Sequence, residues 1–397
     1  MWDAYNLRMK KSLLLSCLAV LLSACGQTQS TITDSGLDCK NFQKGLSGKR
    51  TNLYVLKNKN AMEVCVTNYG GRIVSAMVPD KNNEMRDVIL GFDSVDDYIN
   101  FPTCYGATIG RYANRIGKGK FTLDGIDYQL PQNAEGNCLH GGTDGFQIKV
   151  FDAKQISENT LELQYTSPDG ESGFPGNVTC KVIMTVTEDN AIDISYEGRT
   201  DKPTILSMTN HSFFNLDGDP TRTIRDYEVY INADHFTPID TTFLVTGELR
   251  SVTDTPFDFR KPTKLDERLD ADDEQIHIAK GIDENWALNT KGNINELSAS
   301  AWSEHSGIKL EVYTTEPGVE VYTANAFNGS IIGKKDIAYN RQVGICFETQ
   351  KYPDSPNHPE WPSTIVRPGE TYRGHCIYKF TVVKPNFRKV IQNACHK

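Results

Sequence analysis

The chain has 397 residues, 38% of them hydrophobic, with 42 Lys and Arg set against 51 Asp and Glu, a formal net charge of −9. That length is ample for a buried core. The acidic balance argues against nucleic acid as a partner.

Residues 1–24 read as a lipoprotein signal peptide. Arg8, Lys10 and Lys11 form a basic segment, residues 13–22 an apolar run, and Leu22-Ser23-Ala24-Cys25 closes it. The run is too short to span a bilayer comfortably as a helix. Met9, followed by two lysines, is the more natural start, which makes residues 1–8 an upstream extension. The closing tetrapeptide resembles a bacterial lipobox, in which small residues precede a cysteine that is lipidated and becomes N-terminal. That resemblance implies an exported protein, lipid-anchored through Cys25 to a bacterial membrane and facing the periplasm or cell surface. An ordinary signal peptide with a coincidental cysteine is the alternative. Gly26 rather than Asp after Cys25 favours the outer membrane if the host is Gram-negative. Residues 27–36 are polar and small, so 25–45 read as the lipidated cysteine and a flexible tether.

The remainder, 46–397, reads as one domain, without an internal linker, a low-complexity block or a repeat of fixed period. Of the ten cysteines, Cys17 leaves with the signal segment and Cys25 is the lipidation candidate. Cys39, Cys65, Cys104, Cys138, Cys180, Cys346, Cys376 and Cys395 are too scattered for a stapled mini-domain. A Cys39–Cys395 bridge tying the two ends together is a guess. The lack of a Cys-x-x-Cys argues against a structural zinc site.

Along this domain the period is two. Met62, Val64 and Val66 alternate with Glu63, Cys65 and Thr67; Leu161, Leu163 and Tyr165 alternate with Glu162 and Gln164. Val182, Met184 and Val186 run into the turn Glu188-Asp189-Asn190, and Ile192, Ile194 and Tyr196 answer them. Ile308, Leu310 and Val312 alternate with Lys309, Glu311 and Tyr313. These are half-buried antiparallel strands joined by hairpins. Asp124-Gly125, Asp169-Gly170, Pro317-Gly318 and Pro368-Gly369 mark turns. Two short stretches read as helical: 94–99, opening on a Ser cap and two acids, and 265–269. Many short strands and almost no helix predict an all-β fold, a large antiparallel two-sheet sandwich.

Polar clusters interrupt this pattern. Gly110-Arg111-Tyr112-Ala113-Asn114-Arg115-Ile116-Gly117 comes first, then Asn137-Cys138-Leu139-His140-Gly141-Gly142. Next is Thr209-Asn210-His211-Ser212-Phe213-Phe214-Asn215-Leu216, followed by Gly281-Ile282-Asp283-Glu284-Asn285-Trp286 and Gly344-Ile345-Cys346-Phe347-Glu348-Thr349-Gln350. Taken singly, Arg115 reads as a surface ion pair, His140 as a turn histidine and Asp283 as a turn acid. The 209–216 stretch does not suit a plain core strand, because each buried amide or hydroxyl needs a partner. It suits a strand end facing a polyhydroxylated ligand. Glu348 ends an apolar strand (Val343, Ile345, Phe347), and strict alternation turns it away from that apolar face. Whether its pKa is raised by burial or lowered by a nearby cation stays open from the sequence. A strand-end acid is positioned, and catalytic acids and bases need position before a tuned pKa.

In chain order these clusters resemble the aldose 1-epimerase (galactose mutarotase) family. The resemblance runs from about Gly70 to Phe380 and takes in stretches without obvious chemistry: Gly173-Phe174-Pro175-Gly176-Asn177, Thr246-Gly247-Glu248, Thr255-Pro256-Phe257-Asp258-Phe259-Arg260, Glu316-Pro317-Gly318-Val319, and Tyr352-Pro353-Asp354-Ser355-Pro356-Asn357-His358-Pro359. It implies a large antiparallel β-sandwich and the interconversion of α and β anomers of a free aldohexose such as glucose or galactose. A base takes the proton of the C1 hydroxyl, an acid protonates the ring oxygen, the ring opens, and it recloses on the other face. The chemistry calls for no metal and no redox cofactor. By resemblance the base falls on Glu348 and the acid on His211. His140 would hold the sugar near its ring oxygen, and Asn114, Arg115 and Asp283 would bind hydroxyls. Some family members carry a sugar-facing glutamine where this chain has Glu320, a carboxylate that only accepts hydrogen bonds when ionised. Trp286, Phe213 and Phe347 are candidate stacking platforms, each equally readable as core.

Three other functions compete. A glycoside hydrolase would use Asp283 and Glu348 as its carboxylate pair, but leaves His211 unexplained. A carbohydrate-binding lipoprotein needs neither base nor proton donor. A phosphosugar epimerase needs a basic phosphate pocket, and no extra Arg/Lys cluster lies near the motifs. The preferred aldose and the choice between monomer and dimer are not set by the sequence.

Overall fold

The computed structural model describes residues 31–383. The expected signal segment, Cys25 and Cys395 lie outside them, and with Cys395 so does the guessed end-to-end bridge; Cys39 has no disulfide partner among the described residues.

The architecture is antiparallel β, as the period of two predicts. A nine-stranded sheet runs Asp152–Ser157, Thr160–Ser167, Val178–Val186, Ala191–Thr200, Tyr372–Val382, Ile308–Thr314, Ala299–Trp302, Glu228–Ile231, Thr263–Lys264 in spatial order. A six-stranded sheet runs Phe213–Phe214, Ile345–Gln350, Gly318–Tyr322, Asp283–Leu288, Ala233–Thr237, Arg250–Ser251. A four-stranded meander, Leu53–Lys57 to Met85–Asp87, lies in order of sequence. One core joins them: Val182, Ile194, Leu310 and Tyr378 of the large sheet pack in the same cluster as Val319, Phe347 and Trp286 of the second and Val64 and Ile73 of the meander. The alternating strands of the large sheet bury every other residue. Glu63–Thr67 is different, buried at all five positions, so the half-buried reading fails there.

The turn dipeptides act as their chemistry requires. Asp124 and Gly125 both take positive φ (52° and 78°) between strands whose register pairs Leu123 with Ile126. That is the two-residue hairpin geometry that matches strand twist. Ser94 caps the helix Val95–Asn100, its hydroxyl accepting from the Asp97 N–H. The other expected helical stretch is a single 3-10 turn, Leu265–Glu267. A six-residue helix, Glu274–Ala279, capped by Asp273, was not anticipated; one turn and a half shows too little period to read.

The expected tether shortens. Thr33, Ser35, Leu37 and Phe42 are buried. The Asp34 N–H donates to the Glu63 carboxylate (2.9 Å), Ser35 pairs with Ser75 (3.0 Å), and Leu37 and Phe42 pack in the cluster that holds Tyr98. Two apolar side chains and a satisfied backbone outweigh the polar composition from which 25–45 was read as flexible, so the packed body begins near residue 33.

Candidate active site

The six-stranded sheet has two buried faces, and this decides where Glu348 points. In Ile345–Gln350, Ile345 and Phe347 enter the core, while Cys346, Glu348 and Gln350 face the opposite side, which is buried too. Strict alternation therefore holds, and the face it turns Glu348 towards is a cavity. Register sets Glu348 opposite Glu320, and Glu320 opposite Asn285, as one cross-strand row. Asp283 stands two pairs along, opposite Tyr322.

His211 arrives from a different element. Thr209–Asn210 pairs with Thr108–Ile109, and the His211 backbone bonds Ala107 and Gly106. The polar neighbours that made 209–216 unsuited to a plain core are mostly occupied with backbone. Asn210 Nδ2 donates to the Gly106 carbonyl and its Oδ1 accepts from Ser212; Asn215 Nδ2 donates to the Val343 carbonyl. Of the polar side chains in this stretch, only the imidazole lines the cavity. Its Nε2 lies 3.3 Å from Glu348 Oε1, with both side chains almost fully buried. The ring stacks on Phe213 (4.9 Å between centroids) and meets the His140 ring edge-on at 5.2 Å.

His140 sits in left-handed backbone (φ 53°), followed by Gly141 (φ 81°), where any Cβ would run into the Gly110 carbonyl oxygen. The Asn114 backbone N–H donates to His140 Nδ1 at 3.1 Å. A neutral His140 thus carries its proton on Nε2, a hydrogen-bond donor. Asn114 also has positive φ (64°), and its Oδ1 accepts from the Arg115 N–H. The Arg115 guanidinium lies 5.1 Å over the Phe243 ring, with its Nε buried and without a partner among the described residues.

Asn114, Arg115, His140, His211, Asp283 and Glu348, predicted from five separate stretches, all line one cavity of about 660 Å³. That is within the usual size of small-molecule sites, about 300–1,000 Å³. Glu320 is the exception. It sits in the cavity wall, 3% exposed, within 3.4 Å of Gln350 Nε2, and is not among the lining side chains. Trp286 and Phe347 are core residues; Trp286 packs against Phe236 and Phe257 and donates to the Phe257 carbonyl. Of the three expected platforms, only Phe213 lines the cavity. Tyr105, Phe243, Tyr322 and Phe327 complete its aromatic lining and were not anticipated, since each lies outside the five polar clusters.

The family-like stretches without chemistry of their own are braces. Arg111 is buried and donates to Ser167 Oγ and to the Ser167, Pro168 and Pro175 carbonyls at 2.7–3.0 Å, fastening the 173–177 motif beneath the Asn114–Arg115 loop. In the 352–359 motif the Asp354 N–H donates to the Arg115 carbonyl, and Asp354 Oδ1 accepts from the Gly117 N–H. Tyr112 Oη donates to the Tyr352 carbonyl.

Electrostatically the site is rich in acid and poor in cation. Burial, with Glu320 and Asp283 nearby, pushes the Glu348 carboxyl well above the usual carboxylate range, against the pull of Arg115. Burial and Asp283 do the same to Glu320. Burial lifts Asp283 to about 6. Burial, with the buried Arg72 guanidinium adding to it, lowers His211 to about 4. Burial and the neighbouring His211 hold His140 well below the usual imidazole value. Desolvation thus drives Glu348 and His211 alike towards their uncharged forms. The two touching groups then share one proton, which can sit on either of them.

A sequence model of aldose 1-epimerase matches residues 52–379. Galactose mutarotase from Bos taurus is 39% identical over 322 residues, 81% of this chain and 92% of the relative. Aldose 1-epimerase from Escherichia coli K12 is 36% identical over 335 residues, 84% of this chain and 96% of the relative. Among solved structures, an aldose epimerase homologue from C. elegans superposes with a TM-score of 0.78 at 30% identity, covering 84% of this chain and all of its own. Galactose 1-epimerase from Lactobacillus acidophilus gives 0.76 at 28% identity, covering 86% and 97%. With the β-sandwich and the convergent site already in place, these matches show that the chain belongs to the aldose 1-epimerase family.

Proposed function

We propose that the protein interconverts the α and β anomers of free aldohexoses such as glucose or galactose, with Glu348 as base and His211 as acid. The observation that carries this is the contact between His211 Nε2 and Glu348 Oε1 at 3.3 Å inside a cavity lined by hydrogen-bonding groups. Movement of the shared proton to His211 leaves Glu348 as carboxylate, ready to accept the proton of the C1 hydroxyl. Glu348 Oε2 has no partner among the described residues, so one oxygen is uncommitted. His211 Nε2 then protonates the ring oxygen and the C1–O5 bond breaks, leaving an open-chain aldehyde. The C1–C2 bond rotates. The O5 hydroxyl attacks the other face and returns its proton to His211, while Glu348 returns its own to O1. Proton and charge balance over the cycle. Each positioned proton transfer is worth about 10²–10⁴-fold.

His140 Nε2–H and Arg115 bind sugar oxygens as donors, while Asp283 accepts from hydroxyls and Asn114 lines the cavity beside them, its backbone N–H holding the His140 ring and its Oδ1 the Arg115 backbone. Glu320, in the wall behind Glu348, acts on the sugar through the Asn114 side chain and the field at Glu348. The test is polarimetry on freshly dissolved α-D-glucose and α-D-galactose with the purified domain. A relaxation no faster than the spontaneous one refutes the activity, and release of reducing sugar from a chromogenic glycoside would favour a hydrolase instead.

We also propose that the chain is exported and held at a bacterial membrane by lipid on Cys25. The basic-apolar-small order of residues 8–25 supports this.

A further inference from the structure

The strand Ile345–Gln350 meets the His211 imidazole at both of its nitrogens. Cys346 and Glu348 are two positions apart and so share one face of that strand. Glu348 Oε1 lies 3.3 Å from Nε2, and Cys346 Sγ lies 3.6 Å from Nδ1. Register holds them there: Cys346 pairs with Phe213, and the imidazole stacks on the Phe213 ring with centroids 4.9 Å apart. Cys346 is buried and is not among the residues that line the cavity, so it exchanges no proton with the sugar.

We infer that Cys346 is a positioning residue for the acid: its sulfur accepts the Nδ1–H of His211 and so fixes the tautomer in which Nε2 carries the shuttled proton. The inference rests on the proposed role of His211. Which nitrogen of a histidine bears the proton is set by the hydrogen bond the other makes. An imidazole N–H is a stronger donor than a thiol S–H, so between these partners the ring gives and the sulfur takes. The backbone of His211 also hydrogen-bonds its own ring, in the sense that favours a protonated nitrogen. Its carbonyl accepts the Gly106 N–H at 2.9 Å as well, whereas the sulfur is committed to the ring alone among the described residues.

The proton count makes this tautomer a requirement. Burial lowers the His211 pKa to about 4, so the resting ring is neutral and bears one N–H. With that hydrogen on Nδ1, Nε2 has a lone pair and takes the proton shared with Glu348. The imidazolium gives its Nε2 proton to the sugar ring oxygen and returns to neutral with Nδ1–H unbroken. With the hydrogen on Nε2 instead, that nitrogen has no lone pair for the Glu348 proton, and its delivery to the sugar would leave an imidazolate among acids. The Cys346 thiol does not make good that loss, because burial and then Glu348 beside it push its pKa well above the usual thiol value.

The experiment reads tautomer and rate separately. The mature chain is made with histidine carrying the heavy nitrogen isotope, and two-bond proton–nitrogen spectra are recorded at neutral pH; the His211 ring is the signal set missing from His211→Asn. Wild type shows a protonated Nδ1 and an Nε2 that accepts. Cys346→Ala moves the hydrogen towards Nε2 and lowers kcat for α-D-galactose about tenfold or more, the weight of one buried N–H left without an acceptor, with KM little changed. Cys346→Ser, whose hydroxyl oxygen accepts again, returns the Nδ1–H pattern and most of the rate. Cys180→Ala, which removes a buried thiol of the large sheet, keeps the wild-type kcat. A wild-type ring with its hydrogen on Nε2 overturns the assignment, and that reading needs no variant to fold. An unchanged spectrum or an unchanged kcat in Cys346→Ala with native circular dichroism overturns the role of the sulfur. So does Cys346→Ser as slow as Cys346→Ala, or an equal loss in Cys180→Ala, which marks a packing effect. A wild type without mutarotase activity contradicts the proposed function, and its ring spectrum still decides the tautomer.

Discussion

Replacing Glu348 with glutamine separates the chemistry of the site from its architecture. The amide matches the carboxylate in shape and can still accept a hydrogen bond from His211 Nε2, now 3.3 Å from Oε1, but it cannot take a proton. Loss of one positioned proton transfer costs about 10²–10⁴ in kcat, or about 2.7–5.4 kcal/mol at 1.36 kcal/mol per decade. Folding responds in the opposite direction. Burial first, and then Glu320 and Asp283 beside it, raise the Glu348 pKa in the folded state. An acid of that kind lends stability below its unfolded pKa and loses it as pH rises through the folded value, at about 1.4 kcal/mol for every pH unit that separates the two. Glutamine is free of that loss, so at pH 8 the variant melts no lower than wild type. Polarimetry or exchange NMR on α-D-galactose reads the rate, and thermal melting at pH 8 reads the fold. A variant that relaxes the sugar as fast as wild type refutes the role of Glu348, and one that melts far lower refutes the picture of a crowded acid row.

His211→Asn lowers kcat by two or more decades with unchanged circular dichroism; normal turnover would take His211 out of the mechanism. Arg111→Lys destabilises the fold by about 3 kcal/mol in urea unfolding, because an ammonium cannot reproduce the guanidinium's fork onto Ser167, Pro168 and Pro175, and charge-assisted bonds are worth about 1.5–3 kcal/mol each; an unchanged midpoint would show the brace to be idle. Glu320→Gln raises Tm at pH 8 but leaves it unchanged at about pH 4.5, since burial holds the folded pKa of Glu320 well above the ordinary glutamate value and its stability is lost only as pH climbs from there; a gain that is equal at both pH values contradicts this. Cys25→Ala moves the protein from the membrane to the soluble fraction of cells, and unchanged fractionation rules out the lipid anchor.

Much of this molecule was legible in one dimension, because its strands follow local rules. Val182 to Val186 and Ile192 to Tyr196 face one way since side chains alternate on a pleat, and Asp124-Gly125 turns the chain because those residues tolerate positive φ. Polar residues at the ends of apolar strands marked the clusters that hold His211, His140, Arg115 and Glu348, and it was the resemblance of those clusters, in chain order, to the aldose 1-epimerase family that assigned them to a site. Reading the stretch from residue 33 to 45 as part of a flexible tether failed because composition is local, whereas the Glu63 carboxylate and the pocket that takes Phe42 come from distant parts of the chain.

What the order of residues determined alone was the class of fold, since periodicity is a property of neighbours along the chain, and, through the resemblance of its ordered clusters to a known family, most site side chains. Tertiary structure decided the rest. It made the second face of Ile345–Gln350 a cavity rather than a solvent surface, and it set Glu320 into the wall and Trp286 into the core. It also brought His211 within reach of Glu348 and Cys346. Those outcomes depend on which sheet packs over which, and contact between residues more than a hundred positions apart leaves no trace in local sequence.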